Sequence, residues 1–215
     1  WKAAVKGLGT DFTIEQITQK NHAACGHVHA IIDAINQIKE EKDFYPEEIE
    51  KINIGSYQKV LEICCNPKPT TTYEAKFSAQ FCAALACLKG RALRTQDFLQ
   101  DSLKDSAVAS LMPKVELNID QDCQKAFPGA RSAKVKVELQ NGIELESFAP
   151  TRKGDPDYPM SDFELSEKYT DLAQSVLGKE RARALLEDMW MYDKVNSTRE
   201  FVEKYFDEGT KYSKN

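Results

Sequence analysis

Lys20-Asn21-His22-Ala23-Ala24-Cys25-Gly26-His27-Val28-His29 runs directly into Ala30-Ile31-Ile32-Asp33-Ala34-Ile35, and the change of pattern between the two halves organises the reading of the whole chain. From Val28 onward the apolar residues Val28, Ile31, Ile32, Ile35 and Ile38 recur at the spacing of one face of an amphipathic helix. A helix with such a stripe is anchored to a core, so the loop before it is held as well. That loop carries all 3 histidines of the chain together with a lysine and a thiol. Several proton carriers and anion ligands therefore fall within one short segment. His29 and Asp33, four residues apart, share a helix face.

Working outward, 215 residues suffice for one domain, or two small ones, with a true core. The net charge of -5 gives no general electrostatic reason to bind nucleic acid or an anionic membrane. Any anionic ligand must be held by a local cluster of cations. No apolar run approaches the roughly 20 residues needed to cross a bilayer. The expectation is a soluble protein, cytoplasmic or, in a eukaryote, of the mitochondrial matrix. The chain opens at Trp1 without a methionine or a signal-peptide pattern, which reads as a fragment or a trimmed chain. Of the 6 cysteines, Cys65, Cys82 and Cys87 lie in or beside apolar stretches, where free Cys packs as a small hydrophobe. Reduced thiols follow for a chain of this size.

Residues 1–19 are weakly patterned: Gly7-Leu8-Gly9-Thr10-Asp11 reads as a turn, and Phe12, Ile14 and Ile17 as a short strand or one helical turn. The first helix ends near Lys42. Ile52 and Ile54 alternate with polar residues over 51–57, a strand, while residues 60–65 are apolar without a decisive period. Residues 79–89 form an apolar helix of small residues that should be buried, closed by Gly90. Short helices follow over 95–99 and 105–111. Val115, Leu117 and Ile119 alternate, as do Val135, Val137 and Leu139, and Asn141-Gly142 is a hairpin turn leading to a return strand over 143–148. These three strands are expected to form an antiparallel unit joined by the strand at 51–57. Residues 151–159, with Gly154-Asp155-Pro156 and Pro159, read as a rigid polar linker. Ser161-Asp162-Phe163-Glu164 is a capping box opening a helix that ends at Gly178. A second helix carries Ala182, Leu185, Leu186, Met189 and Trp190, and Ser197-Thr198-Arg199-Glu200 caps a third. The expected fold class is α+β: a small antiparallel sheet with packed helices, then a C-terminal helical module. Its divisions are a lead-in over 1–19, an α+β domain over 20–152 and helices over 153–215.

Several separated motifs carry a resemblance. Lys20, Cys25 and His29 ahead of Ala30-Ile31-Ile32-Asp33-Ala34, the run Glu74-Ala75-Lys76-Phe77-Ser78 with its following helix to Gly90, and the Gly154-Asp155-Pro156 to Pro159 crossing resemble the MmgE/PrpD family in the family's order. That family includes 2-methylcitrate dehydratase, cis-aconitate decarboxylase and iminodisuccinate epimerase. The likeness spans roughly residues 12–195 and departs at two places: Ala23 stands where proline is usual, and Phe81 where a tyrosine often stands. Members are about twice as long, with an N-terminal helical part, an α+β lid and returning C-terminal helices.

The resemblance implies that residues 20–152 are the lid and that the helical partner of the C-terminal helices is absent from this chain. Those helices should then expose apolar surface or cover it by pairing, as in a homodimer. It also implies cofactor-independent acid/base chemistry on a small di- or tricarboxylate. In that reading Lys20 is the active-site cation or proton donor, His29 a wall residue of the substrate site, and Cys25 or His27 a nearby hydrogen-bonding group. With the other catalytic groups elsewhere, this chain alone should be inactive or nearly so.

The residues themselves leave blander roles open. Lys20 reads equally as a solvated lysine, and His29 as a partner of Asp33 or a backbone carbonyl. His22, Cys25, His27 and His29 are zinc-type donors, though spaced too tightly for the usual paired-ligand motifs. Three functions of different class therefore stand: part of a lyase or isomerase, a family-derived binding or assembly subunit without activity, and a small metal-binding module.

Overall fold

The computed structural model describes residues 1, 3 and 5–206. It divides into two compact units, one ending at Met160 and one beginning at Ser161.

The first unit is an α+β layer pair built on α1 (His29–Glu41), β1 (Ile49–Ser56), α2 (Gln58–Cys64), α3 (Thr72–Lys76), α4 (Ala79–Lys89), α5 (Gln100–Leu103), α6 (Ser106–Leu111), β2 (Val115–Ile119), α7 (Gln121–Ala126), β3 (Ala133–Leu139) and β4 (Glu144–Ala149). The alternation read in the sequence decides its layering. Ala133, Val135, Val137 and Leu139 of β3 and Ile49, Ile52 and Ile54 of β1 turn to the inner face. There they meet the stripe of α1 and the apolar α4 in a single core. α4 is buried over most of its surface and ends at Gly90 in the left-handed conformation, φ 58°.

The sheet order β2-β1-β3-β4 corrects the expected antiparallel unit. β3 and β4 form the predicted hairpin, but β1 lies between β3 and β2, and β2 runs parallel to β1. The physical reason is the connection: β1 and β2 are separated by the helices α2 to α6, ample length for the crossover a parallel pair requires. In the hairpin turn only Gly142 has positive φ, at 81°. Gly142 N–H donates to Leu139 C=O at 2.8 Å and Ile143 N–H to the Asn141 side chain at 3.1 Å, so the turn is a three-residue loop with glycine in the left-handed place.

Residues 151–159 are not a free linker. Arg152 and Asp155 are buried, and Gly154 (φ 96°) lies so close to the chain before the key loop that a Cβ there would sit 1.9 Å from Gln19 O. Helix α7, which periodicity misses, is set by Asp120, whose carboxylate accepts from the N–H groups of Asp122 and Cys123 at 3.0 Å. The unassigned apolar run at 60–65 is α2, with Val60 and Cys64 facing inward.

The second unit comprises α8 (Asp162–Leu177), α9 (Lys179–Trp190) and α10 (Thr198–Phe206). The predicted capping box opens α8, with Ser161 and Glu164 bonded reciprocally. Ala182, Leu185 and Tyr205 are buried, and the Tyr205 hydroxyl donates to Asp188 at 2.7 Å. Apolar surface is left open as expected: Phe163, Leu172, Val176 and Trp190 are exposed. Among the described residues no helix is long and apolar enough to cross a membrane.

Candidate functional site

The loop of residues 20–28 is fixed by backbone at both sides before any side chain is considered. Gln19 N–H donates to Gly154 C=O at 2.8 Å, Ala23 N–H to Leu93 C=O at 2.9 Å, and Cys25 N–H to Lys76 C=O at 2.8 Å. The loop is thus pinned to three separate segments. Ala23 stands where the resemblance leads one to expect a proline, and its N–H is used, so a hydrogen bond holds this position where a fixed φ would otherwise do so.

The three histidines go to three different partners. Buried His22 accepts from the Leu93 N–H at Nδ1 (3.1 Å), which leaves its Nε2 to donate to Asp33 at 2.8 Å. The other Asp33 oxygen accepts from the Lys153 N–H at 2.9 Å. His27 Nδ1 meets the Tyr57 hydroxyl at 2.9 Å, over a Tyr57 ring stacked on Phe127 at 4.4 Å. His29 is wholly buried, with Nε2 facing Ala24 C=O at 3.3 Å and Nδ1 without a partner. The helix-face pairing of His29 with Asp33 is thus not made, because His22 reaches Asp33 from the loop. The backbone-carbonyl role left open for His29 is the one observed. The His22 and His29 rings meet edge to face with centroids 5.0 Å apart, yet no group of three or more His, Cys, Asp or Glu among the described residues is arranged to hold a metal ion.

Electrostatics separate these groups further. Burial, reinforced by His22 and by Lys20 and Arg152, holds His29 well below the usual imidazole range. His27 is lowered by burial and then by Arg131, Arg152 and Lys59. Both rings are neutral near pH 7. Cys25 is the opposite case: a hydrogen bond from the Cys64 thiol outweighs burial and, with the His27 N–H, Lys20 and Arg131, brings it down to about 6. Cys64, the donor of that bond, is pushed up. All 6 cysteines are free.

Lys20 is exposed, and its ammonium donates to Ala24 C=O at 3.0 Å. The structure adds two cations that sequence reading missed. A Cβ placed on Gly26 would lie 2.9 Å from Arg152 Nη1, 3.4 Å from Arg131 Nη1 and 3.9 Å from Lys20 Cε. Three cationic side chains from distant parts of the sequence therefore converge on one glycine of the loop. Arg152 is neutralised by buried Asp155 through Nη2 at 2.6 Å and Nε at 3.0 Å. Burial alone would raise Asp155, but Arg152 and the Thr18 and Thr151 hydroxyls hold it down to about 2. No local motif marks either arginine. The available signal was Gly154, whose turn carries Arg152 back to the loop.

Phe81, where the resemblance leads one to expect a tyrosine, is buried against Phe98 with ring centroids 6.1 Å apart.

A loop carrying lysine, cysteine and histidine, crowned by cations and pinned by a glycine turn some 130 residues later, also fits what comparison with known proteins finds. The chain is 26% identical over 191 residues to a cis-aconitate decarboxylase-like protein of Aspergillus oryzae, covering 83% of this chain and 38% of that one. To a cis-aconitate decarboxylase of Aspergillus terreus it is 22% identical over 211 residues, covering 93% and 42% respectively. The chain thus spans about two-fifths of the length of the relatives it matches. The sequence model of the MmgE/PrpD C-terminal domain matches residues 22–192, most of the first unit and the helices α8 and α9 of the second, and with that match the chain belongs to the MmgE/PrpD family.

Proposed function

We propose that this chain is the C-terminal part of a cofactor-independent lyase or isomerase that acts on a small di- or tricarboxylate by acid/base chemistry. The observation that carries the reading is the convergence of Lys20, Arg131 and Arg152 on Gly26 in an otherwise acidic chain. Removing a proton or a carboxyl group beside carboxylates builds enolate-like negative charge, and fixed cations in a partly dry site stabilise it.

Lys20 is the proton donor or active-site cation, being the exposed member of the cluster with only a carbonyl for a partner. Cys25 and His27 line the substrate side, one a ready thiolate and the other a neutral imidazole able to accept or give a hydrogen bond. His29 is a wall residue behind the loop, its neutral ring supporting Ala24 and thereby the carbonyl that receives Lys20. The remaining acid/base groups and the N-terminal helical part belong to the rest of the polypeptide. The exposed stripe of the second unit packs there or against a second copy in a homodimer.

A second reading, a family member kept as a binding or assembly subunit, is favoured by Phe81, which offers the core a ring and no hydroxyl. The separating experiment assays the complete native polypeptide and this 215-residue chain on cis-aconitate and 2-methylcitrate, following CO2 release and dehydration. The expected result is turnover by the complete polypeptide and none by the chain alone. Robust turnover by the chain alone, or none by the complete polypeptide on either acid, contradicts the proposal.

A further inference from the structure

Of the three cations around Gly26, two have their charge answered differently from the third. Arg152 is locked to Asp155 and also donates to the Thr18 hydroxyl at 3.2 Å. Lys20 spends one N–H on Ala24 C=O. Arg131 is half-buried two residues before β3, yet its guanidinium makes no hydrogen bond and no ion pair with any described residue. Its five N–H donors, in a rigid fork, thus have no acceptor among the described residues, and Nη1 lies beside the loop at Gly26. Guanidinium groups at this degree of burial are ordinarily paired, since desolvating an unanswered charge is costly. The Cys25 thiolate nearby answers this charge only through space, without a hydrogen bond, and crowding against Arg152 and Lys20 adds repulsion that a bound anion would turn into attraction.

We infer that Arg131 is a substrate-binding residue of this site, gripping one carboxylate of the di- or tricarboxylate through its guanidinium fork while Lys20 faces the reacting end. Arg152 is a positioning residue: tied to Asp155, it holds the loop at Gly26, where its Nη1 lies 3.5 Å from the carbonyl oxygen. Gly26 is the spacer, because any side chain there must displace Arg152 Nη1 from 2.9 Å and so spread the cluster. The identity of the anion rests on the proposed function; the anion site itself rests on the unanswered guanidinium.

The test measures binding of tricarballylate, a saturated and unreactive tricarboxylate, to the complete native polypeptide by calorimetry. Arg131→Gln is compared with Arg131→Lys, Gly26→Ala and, as a charge-matched control, Lys104→Gln. A charge-assisted fork is worth about 10- to 100-fold in affinity. Arg131→Gln is expected to lose that factor with an unchanged melting temperature. Arg131→Lys recovers it only in part, for an ammonium cannot bind bidentately. Gly26→Ala weakens binding with no change of charge, and Lys104→Gln has no effect. No saturable binding by the parent protein, or equal binding by parent and Arg131→Gln, overturns the inference. Arg131-dependent binding without turnover of any tested acid would sink the proposed activity and leave the anion site standing. Turnover that depends on Lys20 but is indifferent in KM to Arg131→Gln would do the reverse.

Discussion

Helix α1 buries 8 residues, and Ile31, Ile32 and Ile35 among them are inaccessible to solvent. Helix α8 is longer, at 16 residues, is better capped, with the Ser161–Glu164 box where α1 has no side-chain cap, and buries none. Both are amphipathic in sequence, so periodicity cannot tell them apart. The difference lies in what each stripe meets. The stripe of α1 has a sheet and a second helix to cover it, whereas the stripe of α8 meets α9 along part of its length and leaves Leu172 and Val176 open. An amphipathic pattern states that a helix needs a partner, and only the structure shows whether this chain supplies one.

Cavity formation breaks the comparison most directly. Ile31→Ala is expected to destabilise the first unit by about 2–5 kcal/mol, while Leu172→Ala in α8 stays within about 0.5 kcal/mol. Urea unfolding of the two variants checks this; equal losses would mean that α8 is as well covered as α1. Leu172→Ala should also reduce self-association in sedimentation if a second copy covers that stripe.

Gly154→Ala comes next. A side chain at φ 96° and 1.9 Å from a backbone oxygen cannot be accommodated without moving the chain around Gln19. A loss of at least about 1–3 kcal/mol is expected, against a few tenths at most for Gly178→Ala on account of contacts, since nothing lies within 4 Å of a Cβ there. The positive φ of Gly178 adds its own strain, so the ratio of the two losses, read by thermal unfolding, isolates the contact.

Acid weakens the first unit through two buried groups. His29 binds its proton far less readily folded than unfolded, so the unfolded chain takes up more protons as pH falls below about 6.5, and stability drops with it. Asp155 adds a second window. Its folded value near 2 lies below its ordinary 3.8, so its contribution is present above about 4 and is lost as pH falls towards 2. Unfolding midpoints measured across pH 4–7 should fall less steeply in His29→Gln than in the parent.

The smallest effect on stability, and the sharpest on reactivity, concerns the thiols. Cys25 should be carboxymethylated first, with a rate rising through pH about 6, while Cys82 and Cys87, raised by burial, stay unlabelled in the folded protein. Peptide mapping after brief iodoacetate treatment reads this out.

Much of the first unit was legible because its signals are local: the α1 stripe, the Gly90 cap, the β3 alternation and the Asn141-Gly142 turn each predict their element from neighbouring residues. The strand order was not, since pairing β1 with β2 in parallel depends on where a connection of several helices returns, which no alternation reports. The site divides in the same way. Lys20, Cys25, His27 and His29 are adjacent in sequence, and the loop announces itself. Arg131 and Arg152 reach Gly26 only through β3 and the turn at Gly154, so folding alone brings them there. The histidine partners were also hidden, because His22 and His29 are chemically equal in the sequence and differ only in which of them Asp33 meets.

Whether Lys20 performs chemistry in a carboxylate site is decided by steady-state turnover of cis-aconitate by the complete native polypeptide carrying Lys20→Met. The expected result is a fall in kcat of about 10²- to 10⁴-fold, with an unchanged melting temperature and retained tricarballylate binding through Arg131. Undiminished turnover in the folded Lys20→Met protein would contradict it and leave Lys20 an ordinary solvated lysine.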